Sequence, residues 1–136
     1  MARIQFEREF SPLERLILSS NGYLQRILSY YFDCDLDVVV LSHTLDNNRI
    51  FRKVVIKMNN QDIYYASSTV ESSDILRAFE FLKTNGIGQF LEQENICTDF
   101  QLLEYSKTNG KLHRKYSLTS GSKFYCLIEE SHVIQY

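Results

Sequence analysis

The spacing of apolar positions changes along the chain. Near the N-terminus it is helical: Leu13, Leu16 and Ile17 share one face, and Leu24, Ile27, Leu28 and Tyr31 share another. Ser11-Pro12-Leu13-Glu14 starts the first helix. Ser11 can cap it, Pro12 fits the first helical position, where no N–H is needed, and Glu14 completes a capping box. Asn21-Gly22 separates the two apolar faces. The pattern predicts a helix–turn–helix hairpin over residues 11–32.

From Leu36 onward strand-like segments dominate. Residues 35–41, 50–58 and 63–70 read as three strands, with turn residues at Asp46-Asn47-Asn48 and at Asn59-Asn60-Gln61-Asp62. Ser72-Ser73-Asp74 then caps a helix carrying Ile75, Leu76, Phe79 and Leu82, and Gly86 stops it. Residues 87–91 open a short further helix. Strand-like segments follow at 98–106, 112–119 and 123–130, joined by the tight-turn dipeptides Asn109-Gly110 and Ser120-Gly121. Antiparallel strands interrupted by helices predict an α+β fold, with one antiparallel sheet of about six strands and helices on one side.

At 136 residues the chain predicts one domain, 1–136, large enough to need no metal or disulfide staple. Fifteen Lys+Arg stand against 17 Asp+Glu, a formal charge of −2, which argues against nucleic acid as the main partner. The second helix of the hairpin offers only Gln25 and Arg26 as base readers. No apolar run is long enough to span a membrane. The first ten residues resemble neither a signal peptide nor a transit peptide. The expectation is therefore a protein of the cytoplasm, or of the plastid stroma if plastid-encoded. Cys34, Cys97 and Cys126 form no Cys-x-x-Cys pair, and His43, His113 and His132 show no zinc-ligand spacing. Gly-rich phosphate loops and nucleophile elbows are absent from the sequence. No metal and no cofactor is expected.

Charged residues in apolar phase are the informative ones. Ile50, Arg52, Val54, Ile56 and Met58 alternate on one face of the second strand. Arg52 either reaches water at the strand end or receives a carboxylate in a pocket, for which its guanidinium fork is shaped. On the last strand Phe124, Cys126, Ile128 and Glu130 form one phase, and Tyr125, Leu127 and Glu129 the other. One of the two glutamates must share a face with apolar side chains, and alternation alone leaves open which. A glutamate against apolar walls would have a raised pKa and could hold a proton near neutrality. Arg114, between His113 and Lys115, is a third candidate, with a solvated strand edge as the simpler explanation.

Taken in order, these segments resemble the chorismate pyruvate-lyase family (4-hydroxybenzoate synthases), especially its short cyanobacterial and plastid-encoded branch. Residues 11–32 resemble the family's N-terminal helical stretch. Phe51-Arg52-Lys53-Val54 is similar to its Leu-Arg-Glu-Val strand, and Tyr65-Ala66-Ser67 to an Ala-Arg or Ala-x-Ser segment. Gly86-Ile87-Gly88-Gln89-Phe90-Leu91 resembles Pro-Leu-Gly-Arg-x-Leu, with Gly86 in place of the proline. Arg114-Lys115 resembles a paired arginine stretch, and residues 123–129 resemble Lys-Pro-Leu-Leu-x-Thr-Glu, with Glu129 on the family's glutamate. The resemblance implies a chorismate-lyase-like α+β fold around an internal pocket. It implies cofactor-free conversion of chorismate to 4-hydroxybenzoate and pyruvate, for a prenylated quinone such as plastoquinone. Arg52 would bind the ring carboxylate, Glu129 would contact the ring hydroxyl or act as an acid, and the backbone at Ile87 would touch the aromatic ring. Gly88 would permit close approach, and Arg114 would assist binding.

The sequence departs from the family at Ser67 and Thr98, where the better-known branch carries arginines, and it lacks the usual Phe-Leu-Pro after the last glutamate. Two alternatives follow: a non-catalytic binder of small aromatic carboxylates, and a lyase making a different hydroxybenzoate. A regulator built on this fold would need a DNA-binding domain beside it, and fold alone does not fix function.

Overall fold

The computed structural model describes residues 10–19, 33 and 35–133. The second helix expected within 22–32, together with Cys34, lies outside the described residues. The elements run α1 (Pro12–Ser19), β1 (Asp37–Asp46), β2 (Arg49–Met58), β3 (Gln61–Ser72), α2 (Ile75–Phe81), α3 (Ile87–Gln93), β4 (Asp99–Thr108), β5 (Lys111–Ser120) and β6 (Phe124–Val133).

The six strands form one sheet in the order β1-β2-β3-β6-β5-β4, and every neighbouring pair is antiparallel. Two three-stranded meanders therefore meet at the β3–β6 seam, and the stretch carrying α2 and α3 takes the chain to the far edge. Asn47-Asn48, Asn59-Asn60 and Asn109-Gly110 have positive φ, which makes two-residue hairpins whose twist matches the strands they join. This shortens the loop expected after β2 and lets β1 run five residues beyond its predicted end. Bulges between Val40 and Ser42 and between Leu102 and Glu104 distort the two edge strands, a common way of discouraging edge-to-edge pairing.

α1 starts as its sequence dictates. The Glu14 amide donates to Ser11 Oγ at 3.2 Å, and the Ser11 amide donates to Glu14 Oε1 at 2.8 Å. Glu14 also receives Lys107 from β4 at 3.0 Å, which ties the helix to the sheet. Leu13, Ile17 and Leu18 are buried, whereas Leu16, expected on the same face, is 48% exposed. Asp74 caps α2 by accepting the Arg77 amide.

The three helices among the described residues pack on the same face of the sheet, in two groups. Leu13, Ile17 and Leu18 of α1 join Val54, Ile56, Tyr64 and Leu112 in one cluster. Ala78, Leu82, Phe90 and Leu91 of the α2–α3 region join Ile50, Val70, Leu118 and Ile128 in the other. Each fully buried side chain of this kind contributes roughly 1.5–3 kcal/mol. The same face carries Arg52, Ser68, Arg114, Tyr116, Glu130 and His132, so a polar stripe crosses the sheet between the two apolar clusters.

Candidate functional site

A cavity of about 490 Å³ opens over that stripe, within the roughly 300–1,000 Å³ usual for small-molecule sites. Val54, Ile56 and Tyr64 form its wall on the α1 side, Tyr116 and Ile128 its wall on the α2–α3 side. Arg52, Ser68 and Glu130 reach it from the sheet. The Lys83–Ile87 turn between α2 and α3 closes over it.

Arg52 takes the inward phase of β2 and is only 6% exposed, so it does not reach out to water. Its Nε donates to the Leu82 carbonyl at 3.3 Å and its Nη2 to the Asn85 carbonyl at 3.1 Å. Leu82 is the C-terminal cap of α2, where carbonyls lack intrahelical donors, and Asn85 lies in the turn that follows. Burial lowers the Arg52 pKa, but a guanidinium stays charged in proteins. Among the described residues no carboxylate pairs with Arg52. Alongside it, His43 of β1 accompanies Arg52 in register and binds the Phe79 carbonyl through Nε2 at 2.8 Å. Strands β1 and β2 are thereby fastened to the helical layer at one end of the cavity.

The inward glutamate is Glu130. Its Oε1 accepts from Arg114 Nε and approaches His132 Nε2 at 3.3 Å; its Oε2 accepts from the hydroxyls of Tyr64 at 2.6 Å and Tyr116 at 3.1 Å. Burial alone would raise the Glu130 pKa, but Arg114 and the His132 contact outweigh it and bring the carboxyl down to about 2. Glu130 is therefore an ionised acceptor at neutral pH. Burial and the adjacent carboxylate push both tyrosines well above their ordinary value, so each remains a donor.

Several of the expected site residues lie elsewhere than expected. Glu129 lies on the opposite face of the sheet, 62% exposed at its side chain, 3.5 Å from Lys115. The side-chain period of a strand is two, so adjacent positions take opposite faces, and the inward glutamate is Glu130 and not Glu129. The raised glutamate pKa is not found either, because Arg114 neutralises the inward carboxylate. Arg114 itself is 2% exposed rather than solvated. It does not line the cavity: it holds Glu130, donates to the Leu18 carbonyl at 3.3 Å and lies over the Tyr116 ring. Ile87 does line the cavity, but Gly88 is buried within α3, and the glycine on the wall is Gly86. Ser67 faces outward while Ser68 is buried in the cavity, and Thr98 lies away from it. Tyr64, Tyr116 and Ser68 escaped the sequence reading. Their signal was the alternation Tyr64-Ala66-Ser68-Val70 and its continuation through Tyr116, opposite Ile128 on the next strand.

Among the described residues no three His, Cys, Asp or Glu side chains come together as a metal-binding group. No helix among them is long and apolar enough to cross a membrane. No family model matches the sequence, and no curated protein gives a significant match.

Proposed function

We propose that this protein is a chorismate lyase that converts chorismate to 4-hydroxybenzoate and pyruvate without a cofactor. The observation that carries the reading is Arg52, a buried guanidinium on the wall of a cavity with both apolar and polar lining, with carbonyl partners and, among the described residues, no carboxylate partner. A buried cation without a counterion is costly, and an aromatic carboxylate supplies one in bidentate geometry. The Tyr64–Glu130–Tyr116 group offers hydroxyl donors and an ionised acceptor in the same cavity, suited to a ring hydroxyl.

The chemistry asks little beyond placement. The C4–H and C3–O bonds of chorismate break and the ring becomes aromatic. Enolpyruvate leaves with the electron pair of the broken C–O bond, and the proton ends on its methylene carbon to give pyruvate. Arg52 anchors the ring carboxylate, Glu130 and its tyrosines orient the C4 hydroxyl, and Val54, Ile56 and Ile128 shield the ring from water. Positioning and fixed dipoles lower such a barrier without a covalent intermediate. The product would feed prenylated quinone synthesis in the cytoplasm or plastid stroma.

One observation favours a second reading, a binder without turnover. Glu130 is ionised and already accepts from Arg114 and two tyrosines, so it has no carboxyl proton to give. Incubation of the purified protein with chorismate separates the two. Pyruvate together with 4-hydroxybenzoate supports the lyase, and a different hydroxybenzoate moves only its specificity. Saturable binding of 4-hydroxybenzoate without pyruvate release overturns the lyase in favour of the binder.

A further inference from the structure

The cavity runs out at one edge of the sheet. Val38 and Val40 take the inward phase of β1, opposite Ile56 and Val54, and both line the cavity. Ile56 and Val54 are buried, and so is Leu36 just before the strand. Val38 is 42% exposed, although it lies on the face that the helices cover. It is both a wall of the cavity and a surface residue, so the cavity meets water across it. Arg52 stands at the other end, held by the carbonyls of Leu82 and Asn85. Arg52 and Val38 are two side-chain steps apart along the strands and one strand across, on the order of 14 Å between backbones. The cavity-lining side chains between them, Val54, Ile56 and Val40, are all apolar. Glu130 lies on the other side, two strands from β2. A ring acid held between Arg52 and Glu130 therefore turns one edge towards Val40 and Val38, and a single ring spans only part of that path. The volume of about 490 Å³ also leaves room beside one ring.

We infer that the cavity also takes hydroxybenzoates that carry an apolar chain meta to the carboxylate, with the chain running along Val40 and leaving over Val38. The inference rests on the reading of the cavity as an aromatic-carboxylate site and extends it to a second class of ligand, an acid with an apolar tail. Arg52 is the charge complement of the head. The valine path stabilises the tail, by about fourfold in affinity for each methylene that becomes fully buried. Such a ligand occupies Arg52, so it excludes chorismate from the same cavity. It acts as a competitive inhibitor wherever alkylated hydroxybenzoates accumulate.

The test is titration calorimetry with 4-hydroxybenzoate and its 3-ethyl, 3-butyl and 3-hexyl derivatives. For the wild-type protein affinity should climb along the series, by about thirtyfold from 4-hydroxybenzoate to the hexyl derivative, short of full burial because Val38 is open. Val38→Asp places a carboxylate on the exit at a position exposed enough to accept it. In that variant the climb should disappear while affinity for 4-hydroxybenzoate stays within about twofold, and Val38→Leu should keep the climb. Val39→Asp makes the same change one residue on, at a position 39% exposed on the opposite face of β1, and should leave the series as in wild type. Equal loss in Val38→Asp and Val39→Asp, or loss in neither, overturns the exit over Val38. Failure of the wild-type protein to bind any of the four probes overturns the aromatic-carboxylate reading, and the inference falls with it. Binding of 4-hydroxybenzoate with affinity flat or falling along the series overturns the inference alone.

Discussion

Arg114 and Glu130 face each other across β5 and β6 and form an ion pair that is shut off from water. The pair draws in Tyr64, Tyr116 and His132, so a fully engaged polar group lies within an apolar layer. Such a group is stable only while complete, since a half-satisfied network leaves a buried charge alone.

Removing one partner should therefore be worse than removing the charge from both. Arg114→Met is expected to destabilise the fold by about 3–5 kcal/mol, because Glu130 stays buried without its cation. The double change Arg114→Met with Glu130→Gln should be more stable than Arg114→Met alone. Denaturant unfolding of the three variants measures this, and a cost below about 1 kcal/mol for Arg114→Met would contradict a buried pair.

Arg52 should behave in the opposite way. It is a buried cation whose partners among the described residues are backbone carbonyls, so its loss should relieve a desolvation cost while abolishing the proposed binding contact. Arg52→Met is expected to keep the melting temperature within about 3 °C of wild type, the shift associated with a fraction of a kcal/mol in a domain this size. Affinity for 4-hydroxybenzoate should fall by a factor of 30 or more, the range of a truncated buried charge contact. Unchanged binding with a collapsed melting temperature would make Arg52 structural.

The two adjacent glutamates give a direct comparison. Glu129→Gln alters an exposed side chain on the far face, and surface changes of this kind stay within about 0.5 kcal/mol; turnover should be unaffected. Glu130→Gln removes the acceptor of four donors and should reduce turnover by at least tenfold. Steady-state rates for the two variants decide it, and the reverse ranking would restore Glu129 to the site.

That comparison also shows how far the sequence could be read. Turn dipeptides, the Ser11–Glu14 box and strand alternation are local signals, and they were enough for the elements among the described residues, the single antiparallel sheet and the inward phase of Arg52. On β6 alternation left two answers, because Phe124, Cys126, Ile128 and Tyr125, Leu127 are both apolar phases. The motif resemblance chose Glu129, whereas the buried glutamate is Glu130, and it named Ser67, whereas the buried serine is Ser68. What separates the faces is the pairing of β6 with β3 and β5, which sets Glu130 opposite Ala66 and Arg114. Such pairings join positions far apart in the sequence and leave no trace in a local window. The strand order β3-β6 and the meeting of Arg52 with the Leu82 and Asn85 carbonyls are of the same kind.

The polar stripe fixes the response of stability to acid. His132 is buried, and that burial, only partly opposed by Glu130, lowers its pKa from the ordinary 6.5. The folded protein then keeps His132 neutral where the unfolded chain takes up a proton, so stability falls as pH drops below about 6.5. Glu130 is about 2 when folded against 4.5 in its ordinary state. Its contribution is present above the unfolded value and is lost progressively between pH 4.5 and 2, again because the unfolded chain binds the extra proton. Both groups act in one direction, giving stability that is level above neutrality and declines in two stages on acidification. His132→Gln should flatten the first stage, which begins below about pH 6.5, and leave the second in place. Unfolding free energies measured from pH 8 to pH 3 for both proteins test this, and an undiminished first stage in the variant would assign it to a group other than His132.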